Sequence, residues 1–356
     1  MKLFSNIYVA FVTLILSIII LVFSFFNFQL GKVSNDDAIK KIIIAPGSID
    51  KIATTLYDNN LIKNKLAFKA YIRITGKTKL KAPTYNLSEN MGVKKIVNIL
   101  ESNQGINTKQ IILTLKEGIN MREVAKIIED NTNNSQEDLF NIINDKDYLN
   151  NLINKYWFLD DIILNDKIYY SLEGYLYPDT YYFSSGDVTV KEILEKILDE
   201  TEKKVTPYKE QITNSDMTFH EILTLASIVE LEGVTLEDRK NITSVFINRM
   251  NNNMTLGCDV TTYYGAKVDM SDRDLYANEL DACNNYNTRC ATFKGLPISP
   301  IANVSLDSII SVIEPINTDY YYFVADKNRK IYFNKNIEGH NNTINQLKKN
   351  GLWFEY

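Results

Sequence analysis

An α+β fold behind an N-terminal membrane-spanning helix is what this 356-residue sequence predicts. Three observations carry that expectation. A long uncharged apolar run opens the chain, short strand-like segments closing on glycine recur in its first third, and helix-period stripes with capping signals fill much of the rest. With 45% apolar and 23% charged residues the chain can bury real cores rather than stay disordered. A net charge of −5, with no block of Lys or Arg, excludes a nucleic-acid grip.

The apolar run, Ile7 to Phe26, holds about twenty residues without a charge, enough at ~1.5 Å rise to cross a hydrocarbon core of ~30 Å. A cleaved signal would have a shorter apolar region and a small-x-small site, whereas Phe23, Phe25, Phe26 and Phe28 crowd the far end. An uncleaved anchor is expected. Lys2 favours a cytoplasmic N-terminus and an exported body, but Lys32, Lys40 and Lys41 beyond the run leave orientation unfixed by charge.

After a linker, Lys40 to Gly47 reads as a strand and turn, and Ser48 to Asn59 as a capped helix with Ile49, Ile52, Ala53 and Leu56 on one face. The pattern recurs in Tyr85–Leu100 and again from Gln110 through Gly118 into Asn120–Glu129, where Met121, Val124, Ala125 and Ile128 form one stripe. Such a module either grips a ligand or merely spaces the next domain from the membrane. Residues 135–165 read as polar helix anchored by Trp157 and Phe158. Ile168 to Phe183 sets tyrosines at strand spacing around Glu173 and Pro178, for sheet packing or for a sugar-binding wall.

Thr218-Phe-His-Glu221 fits a capping box, and the helix it starts runs to about Glu232 before Gly233. Glu230 therefore falls in the last turn, beside Ile228, Val229 and Leu231. Either it is solvated at a frayed end, or its charged form is disfavoured by the helix dipole and by desolvation, which suits a general acid for glycosidic cleavage. Glu232 points elsewhere and is the weaker candidate. Further helices are expected at Leu236–Met250 and Leu306–Ile313, and a hairpin pairs Tyr320–Ala325 with Lys330–Phe333. The loops between, rich in Asp, Asn, Gly and Pro, would line a cleft. With His220 and His340 the only histidines and three cysteines at no zinc spacing, no metal is expected. Cys258, Cys283 and Cys290 read as small buried hydrophobes, and a Cys283–Cys290 bridge is not deducible from spacing.

Ala226-Ser-Ile-Val-Glu230, Phe246-Ile-Asn-Arg249, Tyr286-Asn-Thr288, Gly295-Leu-Pro297, Tyr322-Phe-Val-Ala-Asp326 and Glu173-Gly-Tyr-Leu-Tyr-Pro-Asp-Thr180 together resemble the membrane-bound endolytic murein transglycosylases, the MltG or YceG-like family. The resemblance implies an anchor over 1–31, a LysM-like module over 38–131 and a mixed α+β catalytic domain over 135–356. It implies lytic cleavage of peptidoglycan glycan strands with Glu230 as acid/base, no cofactor, and Glu173, Asp259, Asn287, Thr288 and Asn303 holding sugars or ordering loops. It also implies a single-pass protein of the cytoplasmic membrane, catalytic domain outside, working beside peptidoglycan synthases. Three departures bear on this. Leu256-Gly-Cys-Asp-Val-Thr261 stands for the family's L-Q-x-D-P-T, Arg289 replaces a tyrosine, and Gly295–Ser305 lacks two Pro-Gly constraints, which should loosen that loop. A non-catalytic glycan-binding scaffold and a lysozyme-type hydrolase remain as alternatives, the latter needing a second carboxylate near Glu230, with Glu173 and Asp259 the residues to check.

Overall fold

The computed structural model describes residues 2–44, 48–78, 80, 84–102 and 111–353, with side chains from residue 11 onward. The chain divides into two compact units, 1–111 with 182–186, and 112–181 with 187–356.

The first unit begins with α1 (Lys2–Gln29), whose stretch Phe11–Gln29 has a mean hydropathy of 2.6 and is long and apolar enough to cross a membrane. Its large side chains stand exposed, Leu21 at 68% and Phe23 at 67%, so no protein core accounts for their apolarity. Next come β1 (Lys40–Ile43), α2 (Ile49–Asp58), α3 (Lys65–Thr75), β2 (Thr84–Leu87) and α4 (Val93–Ser102). β1 and β2 pair antiparallel, from Lys40 opposite Leu87 to Ile43 opposite Thr84. Ser48 caps α2 as expected, its side chain accepting from the Lys51 N–H. The turn expected at 45–47 lies outside the described residues. Ile52, Ala53 and Leu56 of α2, Phe68 and Ile72 of α3 and Ile96 and Val97 of α4 close one core. Full burial of each large member stabilises by about 1.5–3 kcal/mol relative to exposure.

The second unit takes in β3 (Ile111–Thr114) apart from its first residue, then α5 (Met121–Asn131), so the third strand-helix repeat packs here rather than with the first two. α6 (Gln136–Ile143) and α7 (Lys146–Lys155) follow, each capped by its own Ser135 or Asp145. The aromatic stretch after them is not a strand until β4 (Thr180–Phe183). From Ser171 it runs through turns, because Tyr175 is needed inside, stacked on Phe158 and edge-on to Phe219, with its hydroxyl on His220 Nδ1 at 2.9 Å.

Beyond β4 lie α8 (Val190–Val205), α9 (Lys209–Thr213), α10 (Phe219–Glu232), α11 (Leu236–Asn251), α12 (Asp259–Gly265), α13 (Ala277–Leu280) and α14 (Leu306–Ile313). The hairpin of β5 (Tyr322–Ala325) and β6 (Ile331–Asn334) precedes α15 (Ile337–Lys349). α10 packs against both α11 and α14, and α11 against α14. A helix surrounded in this way must be apolar on every side, which explains why α10 is buried from Phe219 through Glu230 apart from Glu221.

Candidate active site

The end of α10 is where a charged group enters this core. Thr218 accepts from the Glu221 N–H while the Glu221 carboxylate accepts from the Thr218 N–H, which fixes where the helix begins and hence which face Glu230 takes. Glu230 is only 8% exposed, so it is not a solvated glutamate at a frayed end. Nor is its pocket apolar. Arg239 of α11 donates from Nη2 to Oε1 at 2.6 Å, and Ser305 donates to Oε2 from its backbone N–H at 2.8 Å and from its hydroxyl at 2.6 Å. A glutamate drawn into a protein core needs such partners, because the desolvated charge would otherwise cost several kcal/mol. Arg239 Nη1 also donates to the Ser305 hydroxyl at 3.0 Å, closing a triangle of three side chains from α10, α11 and the start of α14.

Gly233 lets the triangle close. A Cβ built there would stand 2.7 Å from Arg239 Cγ, so only glycine leaves room for the arginine to double back over the helix end. Ser305 sits where the family pattern has glycine, inside the loop expected to loosen. The loop is not loose: Ile301 to Ser305 are all buried, and Ser305 caps α14 by accepting from the Ser308 N–H. Its hydroxyl also bonds Glu230 and Arg239, which ties the end of the loop to α10 and α11.

Beside the triangle, Gly118 donates its N–H to the Asn303 carbonyl at 2.8 Å and Asn303 returns its own N–H to the Ile119 carbonyl at 2.8 Å. This clasp holds Lys116–Gly118 against the end of α10, with Gly118 in the left-handed region at φ +78 and a Cβ there only 3.1 Å from Leu231 Cδ2. Glu117 is thereby brought within electrostatic reach of Glu230, Arg239 and Asp307. Its carboxyl is raised from the ordinary range by partial desolvation first, then by the Glu230 charge, with Arg239 opposing. Glu232 is only partly covered, yet burial of its carboxyl and the nearby Asp259 charge push it up to about 7, against a hydrogen bond with the Cys258 thiol. A pocket of about 220 Å³ opens next to this corner, lined by Gly118, Leu231, Arg122, Tyr263, Tyr264 and Ile301.

The other expected site residues divide sharply by exposure. Asp259 is exposed at the start of α12 and pairs with Arg289, so the departure at 289 supplies that carboxylate with a cation. Asn287 and Thr288 are fully buried. Asn287 donates to the Leu280 and Ala282 carbonyls and accepts from the Thr262 hydroxyl, while Thr288 accepts from the Cys258 N–H. Asn303 is buried too, accepting from the Leu176 N–H and donating to the Ile119 carbonyl. Glu173 is 1% exposed and accepts from the Met121 N–H and the Tyr264 hydroxyl, each at 2.9 Å; burial pushes its carboxyl up to about 7. These four side chains are committed to tying loops together.

Arg239, Ser305 and Glu117 were not among the expected site residues. Arg239 carried one signal, a lone arginine in the second turn of an amphipathic helix just after the glutamate. Ser305 and Glu117 carried none, being a helix cap and a turn residue until the clasp at Asn303 sets them beside α10. Cys283 and Cys290 are joined in a disulfide around the Asn287–Thr288 loop, and Cys258 is buried and free.

The model of the YceG-like family matches residues 42–346. An endolytic murein transglycosylase of Bacillus subtilis (strain 168) is 33% identical over 297 residues, covering 83% of this chain and 80% of that protein. One of Streptococcus pneumoniae serotype 2 is 29% identical over 310 residues; the alignment takes in 83% of this chain but 56% of that longer protein. The crystal structure of a YceG-like protein from Listeria monocytogenes superposes with a TM-score of 0.61 at 31% identity, covering 86% of this chain and all of that one.

Proposed function

Because this chain belongs to the YceG-like family, we propose that it is an endolytic peptidoglycan lytic transglycosylase with Glu230 as its acid/base. The observation that carries the residue assignment is the buried Glu230 carboxylate, oriented by Arg239 and Ser305 at the end of a helix enclosed by α11 and α14. A carboxyl held this rigidly can give a proton to the oxygen linking N-acetylmuramic acid to N-acetylglucosamine. As carboxylate it then takes the proton of the muramyl C6 hydroxyl while that oxygen closes on C1. No water enters, and the product ends in a 1,6-anhydro sugar. With the nucleophile supplied by the substrate, a second carboxylate acting on water is not required, in contrast to the usual hydrolases.

The remaining assignments follow in the same reading. α1 anchors the chain in the cytoplasmic membrane with the body outside, close to where nascent strands and their synthases lie. The antiparallel pair β1–β2 joined through α2 and α3 is the LysM-like module, which would hold a glycan. Asp259 faces the cleft, while Glu173, Asn287, Thr288 and Asn303 order its loops.

The test is mass spectrometry of muropeptides released from uncrosslinked glycan strands by the detergent-solubilised chain and its Glu230→Gln variant. Anhydro-muramyl ends from the parent alone support the reading. Reducing ends would move the chain to the hydrolases, and strand binding without products would make it a scaffold.

A further inference from the structure

Leu66 and Ile74 of α3 stand 71% and 75% exposed, on a face that the first unit leaves open. The inner face of the helix, through Ala67, Phe68 and Ile72, is committed to the core. At about 3.6 residues per turn the outer face divides into two stripes. Leu66, Ala70 and Ile74 form an apolar one, and Lys65, Lys69 and Arg73 form a basic one beside it. A depression of about 350 Å³ follows the seam, lined by Leu66, Lys69, Ala70, Arg73 and Ile74. A surface helix ordinarily turns polar side chains outwards, so packing within the unit does not account for the apolar stripe.

The same unit is fixed to the end of α1. Leu30, just past that helix, is 4% exposed in the module core with Phe26 packed against the cluster, and its carbonyl accepts from the Val93 N–H at 2.9 Å. Lys63, two residues before α3, lies 4.0 Å over the Phe28 ring. α3 therefore starts beside the last turn of the long apolar helix, the level of the lipid headgroups if that helix spans a bilayer.

Charge selects the lipid. Residues 31–111 hold fourteen Lys and Arg against six Asp and Glu, a net +8, whereas residues 112–356 hold twenty-four against thirty-eight, a net −14. A negative surface attracts the module and repels the rest of the chain. On α3, Lys69 is already paired with Asp50 at 2.6 Å, while the exposed Arg73 has no ion pair among the described residues and is free to take a phosphate.

We propose that the outer face of α3 is a lipid-docking surface, its apolar stripe entering the headgroup layer of an anionic phospholipid bilayer and Arg73 taking a lipid phosphate. This rests on α1 being a membrane anchor, and on neither its orientation nor the chemistry at Glu230. Two contacts, the spanning helix and the docked face, fix the tilt of the module, which the helix alone leaves free.

Nitroxide labels on the full-length chain in lipid nanodiscs test this, through their accessibility to oxygen, which partitions into lipid, relative to a nickel chelate, which stays in water. The sites are Leu66→Cys and Ile74→Cys on the face, Lys94→Cys on α4 as a control within the module, and Leu16→Cys in α1. Cys258 is buried and escapes labelling of the folded chain. In phosphatidylcholine discs with about 30% phosphatidylglycerol, the oxygen-to-nickel ratio at the two α3 sites should exceed that at Lys94→Cys about threefold or more, and in pure phosphatidylcholine most of that excess should vanish. Arg73→Gln should lower the docked-to-free ratio about fivefold, and Ile74→Ser, read from the Leu66→Cys label, about tenfold, with melting temperatures unchanged because these side chains are exposed. α3 labels as open to nickel as Lys94→Cys overturn the proposal, and so does equal immersion in neutral lipid. Spin–spin broadening between copies would put a second chain on this face, which also overturns it. Leu16→Cys separates the two readings: water around it sinks the anchor and the proposal with it, whereas lipid around it and water at α3 sinks the docking alone.

Discussion

Arg239 reaches back nine positions along the chain to place Nη2 2.6 Å from Glu230 Oε1, with both side chains at or below 9% exposure. Removing one partner of such a pair leaves a buried charge without compensation, which costs about 3–5 kcal/mol. Arg239→Ala should therefore lower the unfolding free energy by that amount, read from denaturant unfolding. Combining it with Glu230→Gln should cost clearly less than the sum of the two single changes, since the orphaned charge is then gone. Additive losses in a double-mutant cycle would show that the two side chains do not support each other.

Gly233 permits that reach by its small size alone. At φ −103 it needs no glycine conformation, but a Cβ would meet Arg239 Cγ at 2.7 Å and the Arg239 backbone N at 3.2 Å. Gly233→Ala should cost about 1–3 kcal/mol by overpacking and should depress product release by displacing the arginine. Thermal denaturation and muropeptide release on one preparation check it; a variant matching the parent in both would mean that α11 shifts freely.

Much of this was legible where local chemistry sets the structure. The capping box at Thr218, the span of α14 and the β5–β6 hairpin follow from side chains that bond within a few residues of themselves. The expected apolar setting of Glu230 fails because its partners lie nine and 75 positions away, beyond the reach of capping and periodicity patterns. The tyrosines of 168–183 mislead for a related reason: strand spacing says where side chains alternate, while the pull of Tyr175 into the Phe158–Phe219 cluster bends the backbone into turns. Asn287, Thr288 and Asn303 were expected to line a cleft by resemblance, yet sequence cannot tell a polar side chain that meets a sugar from one that ties two loops.

Glu173 makes stability depend on pH in a direction opposite to most carboxylates. Burial raises it to about 7, and Oε1 has no hydrogen-bond partner among the described residues. The stability tied to this group is fully present below the unfolded value near 4.5 and is lost as the pH rises through about 7. The full effect is at most about 3 kcal/mol. Glutamine keeps an acceptor for the Met121 N–H and the Tyr264 hydroxyl and never ionises. Melting temperatures should fall for the parent between pH 5 and about 7 and level off above it, and should fall less for Glu173→Gln, with Glu232 supplying the remainder. Identical slopes would place the pH dependence elsewhere.

The Cys283–Cys290 bridge closes a loop around Asn287, Thr288 and Arg289, and through Arg289 it governs Asp259. Restricting the unfolded chain over so short a loop stabilises by about 2–3 kcal/mol in the chain-entropy account. Chain isolated from membranes with thiols blocked at lysis should show one reactive thiol after denaturation, Cys258, and three after reduction. Reduction or a Cys283→Ser, Cys290→Ser double change should lower the melting temperature and weaken strand binding, because the ends of the 283–290 loop are then free to part. Three free thiols in the unreduced chain would remove the bridge and, with it, the support that an oxidising compartment lends to a body outside the membrane.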